Sequence, residues 1–202
     1  MLRKYIGITG KLWLDDLILL VIAAGIICFL APIVLMKETD LPITMQSLMV
    51  VLIPMLFGLR AGAGAVALYL VVGALGAPVF AEYKGGIERF ARPSGGFLIA
   101  FLIAAVVCGY LAESLKPRER LRQALYILLG YMIILAFGLY WYWGMIEETN
   151  KWEQLRRIFL PNSMVKAAIS FVFIQVAIRA VIGKKEFYNL KNLSDMPETN
   201  KE

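Results

Sequence analysis

The chain has 202 residues, 60% of them hydrophobic and 18% charged, with a mean hydropathy of +0.71. Soluble domains carry about 25% charged residues, and a globule of this length has too little interior to hide so much apolar side chain, so the composition points to a membrane and not to a soluble enzyme. The net charge of +6 then reads as Lys and Arg flanking membrane helices and not as a nucleic-acid surface. The absence of histidine removes Ser-His and Cys-His dyads, imidazole metal sites and His-ligated haem, so no metal or cofactor is expected.

In chain order, Gly7-Ile8-Thr9-Gly10-Lys11-Leu12 comes first. It resembles a phosphate-binding loop only superficially, because that loop needs glycines five residues apart and Ser or Thr after the lysine, whereas here Tyr5 stands five residues before Gly10 and Leu12 follows Lys11. The chain is therefore expected to have no ATP site of its own. Uncharged runs follow at 17–36, 41–59, 61–81, 93–112 and 123–146. Each is close to the ~20 residues that cross a bilayer core. A sixth run, 167–178, is shorter, and suffices if Lys166 and Arg179 snorkel from its ends. The expectation is an all-α membrane protein, a bundle of six transmembrane helices over residues 1–188 followed by a polar, disordered tail at 189–202. Strands are not expected, since no run alternates as a membrane barrel does. The first run is too long for the apolar region of a secretory signal. Cys28 and Cys108 lie within apolar runs and read as free thiols.

Six spans put both termini on one side. With the termini in the cytoplasm, the inner segments hold 13 Lys and Arg and the outer loops 8, which favours that orientation. Much of the excess lies in Lys116-Pro117-Arg118-Glu119-Arg120-Leu121-Arg122. Small residues at Ala23, Ala24 and Gly25 and from Ala61 to Ala65 suit close helix packing, either within the bundle or against a partner.

The outer connections carry the irregular chemistry. The loop after the third run contains Pro78, Phe80, Glu82, Tyr83, Lys84, Gly85, Gly86, Arg89, Arg92 and Pro93, and then Gly95-Gly96. Two glycine pairs and two prolines cannot hold a helix, and the segment reads as a binding loop or an ordinary solvated hairpin. At the start of the second run, Thr44 and Gln46 place a hydroxyl and an amide near the outer interface. Farther on, Trp152, Leu155, Ile158 and Phe159 can share a face of a short interfacial helix. Pro161-Asn162-Ser163 then opens the sixth run, with Lys166 one turn inside it as a site residue or a snorkelling one.

The segment 41–47, together with Phe57-Gly58-Leu59-Arg60-Ala61-Gly62, Leu68-Tyr69-Leu70, Gly73 through Ala81 and Pro93-Ser94-Gly95-Gly96-Phe97, resembles the BioY family. Phe159-Leu160-Pro161 and Lys166-Ala167 add a second, shorter match. The resemblance implies a biotin-binding S component of an energy-coupling factor transporter: six helices, cytoplasmic termini, and a cavity open to the outside and shaped by loops one, three and five. It also implies partners, a transmembrane T component and two ATPases whose hydrolysis drives reorientation of the bundle. Docking through the first helix by small residues at four-residue spacing would here fall on Ala24 and Cys28. The family pattern opens span six with Gly-Asp, two apolar residues and Lys. This chain keeps Lys166 but has Ser163 at the aspartate position, and Glu88, Arg89 and Arg92 replace mostly small or apolar residues. The resemblance thus places Lys166, Asn162 and Ser163 at the ligand, with Glu82 or Asn162 as the missing acceptor and Arg89 or Arg92 on the ligand carboxylate.

Three other readings stay open. One is the same scaffold carrying a different small carboxylated ligand. Ser163 and Lys166, three apart on one helix face, would form the nucleophilic dyad of an intramembrane enzyme. A structural subunit without ligand is the third, and the Gly- and Pro-rich outer loop argues against it.

Overall fold

Glycine and proline, more than charge, decide where the helices of this chain stop. The computed structural model describes residues 10–36, 43–116, 119–145 and 151–194. Helix α1 (Leu12–Leu30) ends ahead of Pro32, which cannot donate to the helical ladder. Strands β1 (Val34–Met36) and β2 (Ile43–Thr44) follow, paired antiparallel with Val34 opposite Thr44. This ribbon corrects two expectations: the first span stops at Leu30 and does not reach 36, and short strands occur, as a clasp in a loop and not as a barrel. Residues 37–42, between the two strands, lie outside the described residues.

Helix α2 (Gln46–Gly58) is the most enclosed, with Val50, Val51 and Met55 fully buried. A π-helical turn at Leu59–Ala63 leads into α3 (Gly64–Ala74). The stretch is not one straight rod. Gly58 has φ 81°, a left-handed conformation that favours glycine. A Cβ on Gly62 would lie 2.5 Å from the Cα of Pro54, whereas residues eight apart in a continuous helix stand about 12 Å apart. The chain therefore folds back at Gly58. The Leu59 N–H at this break donates to Glu113 Oε1 at 3.1 Å.

Helix α4 (Gly95–Ser114) packs antiparallel on α5 (Arg120–Met145) through glycine notches: Gly96 admits Trp141, Gly138 admits Phe97, and Gly130 admits Cys108. Close approach of this kind is what holds membrane helices together, since lipid offers no hydrophobic drive between them. A short helix α6 (Lys151–Gln154), a π turn at Leu155–Phe159 and α7 (Leu160–Ser194) complete the order. The π turn directly precedes Pro161, whose missing N–H breaks the regular hydrogen-bond ladder there.

Among the described residues, five helical stretches are long and apolar enough to cross a membrane: Leu12–Leu30, Gln46–Ala74, Gly95–Ser114, Arg120–Met145 and Leu155–Val181. The expected second and third runs, 41–59 and 61–81, share the one stretch Gln46–Ala74, which starts later and ends earlier than they do. The last helix begins well before 167 and continues to Ser194, and residues 195–202 lie outside the described residues. In the segment before it, Phe159 is buried and Leu155 and Ile158 are half-buried, whereas Trp152 is largely exposed. Ala23 and Ala24 are buried, and the side chain of Leu20 packs against Gly64, so the small residues here serve internal packing; Gly25 faces outward.

Candidate functional site

One end of the bundle gathers the start of α2, the loop between α3 and α4, the start of α4, the second half of α5 and the start of α7 around a cavity of about 260 Å3. Small-molecule sites run from roughly 300 to 1,000 Å3, so this cavity suits a compact ligand. Its apolar wall is built from Phe97, Leu98, Phe101, Ile134, Leu135 and Phe159.

The α3–α4 loop forms the roof. The N–H of Phe80 donates to the Lys84 carbonyl at 2.8 Å, which closes a tight bend. Within it, Glu82 and Tyr83 have φ of 59° and 56°, uncommon for residues with side chains. Glu82 is ion-paired with Lys84, and its N–H donates to the Pro32 carbonyl at 3.3 Å, tying this loop to the end of α1. Phe80 is buried edge-on between Tyr69 and Phe90, with ring centroids 5.6 and 6.0 Å away. It fits because position 73 is glycine, where a Cβ would collide with its ring. At the far end of the loop, Trp141 Nε1 donates to the Arg92 carbonyl at 3.2 Å.

The polar floor centres on Lys166, only 4% exposed although ionisable. Its Nζ donates to the Thr44 carbonyl at 2.7 Å and to Ser47 Oγ at 2.8 Å. Gln46 Nε2 donates to the Tyr69 hydroxyl, and the hydroxyls of Tyr131 and Ser170 are 3.1 Å apart. Among the described residues, the side chains of Asn162 and Ser163 have no hydrogen-bond partner, and the buried Nε of Arg89 has none either. A cavity with an apolar wall, the Lys166 ammonium, the guanidinium groups of Arg89 and Arg92, a Glu82–Lys84 ion pair and the amide and hydroxyl groups of Asn162 and Ser163 can hold a small, largely apolar molecule bearing a carbonyl group at one end and an anion at the other.

The family profile described as BioY matches residues 5–183. The chain belongs to the BioY family. A biotin transporter BioY from Rhizobium etli is 36% identical over 166 residues, covering 77% of this chain and 88% of that protein. A probable biotin transporter BioY from Pyrococcus horikoshii is 36% identical over 131 residues, 65% of this chain and 76% of the relative. In three dimensions, the S-component for biotin from an ECF-type ABC transporter is similar with a TM-score of 0.73 at 22% identity, over 85% of this chain and 94% of that one.

In this BioY-family chain, nine of the twelve expected site residues line the cavity: Thr44, Gln46, Phe80, Glu82, Arg89, Arg92, Asn162, Ser163 and Lys166. Three do not. Tyr83 is 67% exposed and points away. Gly85 packs against the carbonyls of Gly76 and Ala77, where any side chain would clash. The N–H of Gly86 donates to the Gly73 carbonyl at 2.7 Å. These two glycines shape the loop and do not line the cavity. Sequence reasoning missed Ser47, Tyr131 and Tyr142. The signal for Ser47 was its place one residue after Gln46; the tyrosines sit in an apolar run and carry no local mark.

Proposed function

We propose that this protein is the biotin-binding S component of an energy-coupling factor transporter, and that biotin enters the cavity with its ureido ring toward Lys166, Asn162 and Ser163 and its carboxylate toward Arg89. The observation that carries the reading is the enclosed cavity of a BioY-family chain in which these polar groups converge on an apolar slot. Burying the fused ring requires the ureido donors and acceptors to be met once water leaves, and Asn162 and Ser163, whose side chains have no hydrogen-bond partner among the described residues, line the cavity where they can do so. The chain-named relatives are transporters. The Ser163–Lys166 enzyme is not favoured, because Lys166 directs its Nζ to Thr44 and Ser47.

The same reading takes Gln46–Ala74 as two crossings hinged at Gly58, which makes six in all. It puts the termini in the cytoplasm, the cavity outside, and a separate T component with two ATPases as the source of energy. The fold-back of Gly62 onto Pro54 supports the double crossing, and the 13-to-8 distribution of Lys and Arg supports the orientation.

Calorimetric titration of the purified protein with biotin tests the ligand, and saturable one-to-one binding is expected. Absence of binding, with binding of another small carboxylate, transfers the site to that ligand. For the topology, an impermeant thiol reagent on intact cells should label Tyr83→Cys and spare Lys191→Cys. Labelling at 191 overturns the orientation.

A further inference from the structure

We propose that Ser47 is a ligand-positioning residue: its hydroxyl and Lys166 Nζ form a two-donor cradle for the ureido carbonyl oxygen of biotin. The inference rests on the biotin reading above and adds which atoms recognise that oxygen.

Donor counting leads to it. An ammonium has three N–H groups. Lys166 gives one to the Thr44 carbonyl at 2.7 Å and one to Ser47 Oγ at 2.8 Å. Lys166 is closed off from solvent and lines the cavity, so its third N–H has only the cavity to serve. A serine hydroxyl has one hydrogen and two lone pairs. Ser47 Oγ accepts from Lys166, and among the described residues its own hydrogen has no acceptor. Ser47 also lines the cavity. Two donors whose heavy atoms stand 2.8 Å apart thus face the same space. An sp2 oxygen carries two lone pairs and accepts both, and the ureido oxygen is enriched in electron density by two adjacent nitrogens.

Charge points the same way. Among the described residues no carboxylate is paired with Lys166, because Ser163 stands where the family pattern carries aspartate. The two protein oxygens on the ammonium are both neutral. A hydrogen bond to a charged donor is stronger than a neutral one, so a polarised carbonyl oxygen placed on Lys166 supplies what the protein leaves out. The ureido N–H groups are left to Asn162 and Ser163, neutral acceptors on the same helix. Ser47 therefore fixes the direction of the lysine and adds a second donor to the same atom, and selectivity for an oxygen over a hydrogen-bearing nitrogen at that position follows.

The test is competition against labelled biotin by unlabelled biotin and by 2-iminobiotin, in which an N–H group replaces the ureido oxygen. The wild-type protein should prefer biotin. Ser47→Ala should weaken biotin roughly tenfold while changing 2-iminobiotin much less, so that the preference shrinks. Ser47→Thr, which keeps the hydroxyl, should restore it. In the Ser47→Ala, Lys166→Ala double variant the losses should be less than additive, as for residues acting on one atom. Equal weakening of both ligands by Ser47→Ala, or unchanged biotin binding, would overturn the proposal. Thermal unfolding of each variant separates misfolding from altered recognition. Failure of the wild-type protein to bind biotin at all would instead sink the biotin reading, so the two failures are distinct.

Discussion

The two ends of the bundle both hold polar groups at membrane depth or at its edge, and they use them in opposite ways. At the end away from the cavity the groups satisfy one another. Gln175 Nε2 donates to Gln123 Oε1 at 2.6 Å, Gln123 Nε2 donates to the Lys116 carbonyl at 3.3 Å, and the N–H of Lys116 donates to Glu119 Oε2 at 3.0 Å. Between the ends lie Ile127 and Ile174, both fully buried. At the cavity end Asn162, Ser163 and Arg89 Nε have no protein partner among the described residues. An unpaired buried polar atom such as Arg89 Nε costs about 1–3 kcal/mol, and the half-buried Asn162 and Ser163 line the cavity beside it, so this end is a poor structural device and a good receptor. Saturated polar groups staple helices; open ones await a ligand.

Variants can break this contrast or sharpen it. The largest effect on biotin affinity is expected from Lys166→Ala, a loss of about 1.5–3 kcal/mol, measured by calorimetry. Next comes Arg89→Ala, which should weaken biotin about tenfold yet leave biotinamide, which lacks the carboxylate, nearly unaffected; equal loss for both compounds would detach Arg89 from the carboxylate. Ser163→Asp should tighten binding by a few-fold, since it returns a charged acceptor beside Lys166. Weakening instead would assign the acceptor role to Glu82 through like-charge repulsion. At the opposite end, Gln175→Leu should leave biotin affinity unchanged while lowering the thermal midpoint through a loss of about 1 kcal/mol. A change in affinity there would mean that the two ends are coupled.

Much of this was legible before the fold was known. Runs of uncharged residues located the helices, because a charge is costly at membrane depth. Their ends drifted, because α1 stops ahead of Pro32, α2 stops at Gly58 and α4 starts at Gly95, and none of these ends lies at the nearest charge. The ribbon at Val34–Met36 escaped notice since an apolar run of that length looks alike as helix or strand. Arg60 separated two runs that the structure joins in one helical stretch, with the break at Gly58. In the site, Lys166 stood out as an ionisable group in apolar sequence, and the loop by its glycines. Tyr131 and Ser47 did not, because only the packing of α5 and α2 against α7 brings them to Lys166 and Ser170. Gly85 and Gly86 were recognised as irregular, yet their role is to let backbone meet backbone.

The carboxylate of Glu113 that receives the Leu59 N–H has a bearing on how the protein is made. The two residues are 54 positions apart in sequence. When the Gly58 turn first emerges from synthesis its acceptor does not yet exist, and the amide must rely on water or lipid headgroups. Only after α4 has entered and docked can that debt to the solvent be cleared, and Gly109 of α4 then seats against the backbone of Gly58 and Leu59. Insertion of the early helices and completion of their hairpin are therefore separate events in time, and the second depends on the arrival of a later segment.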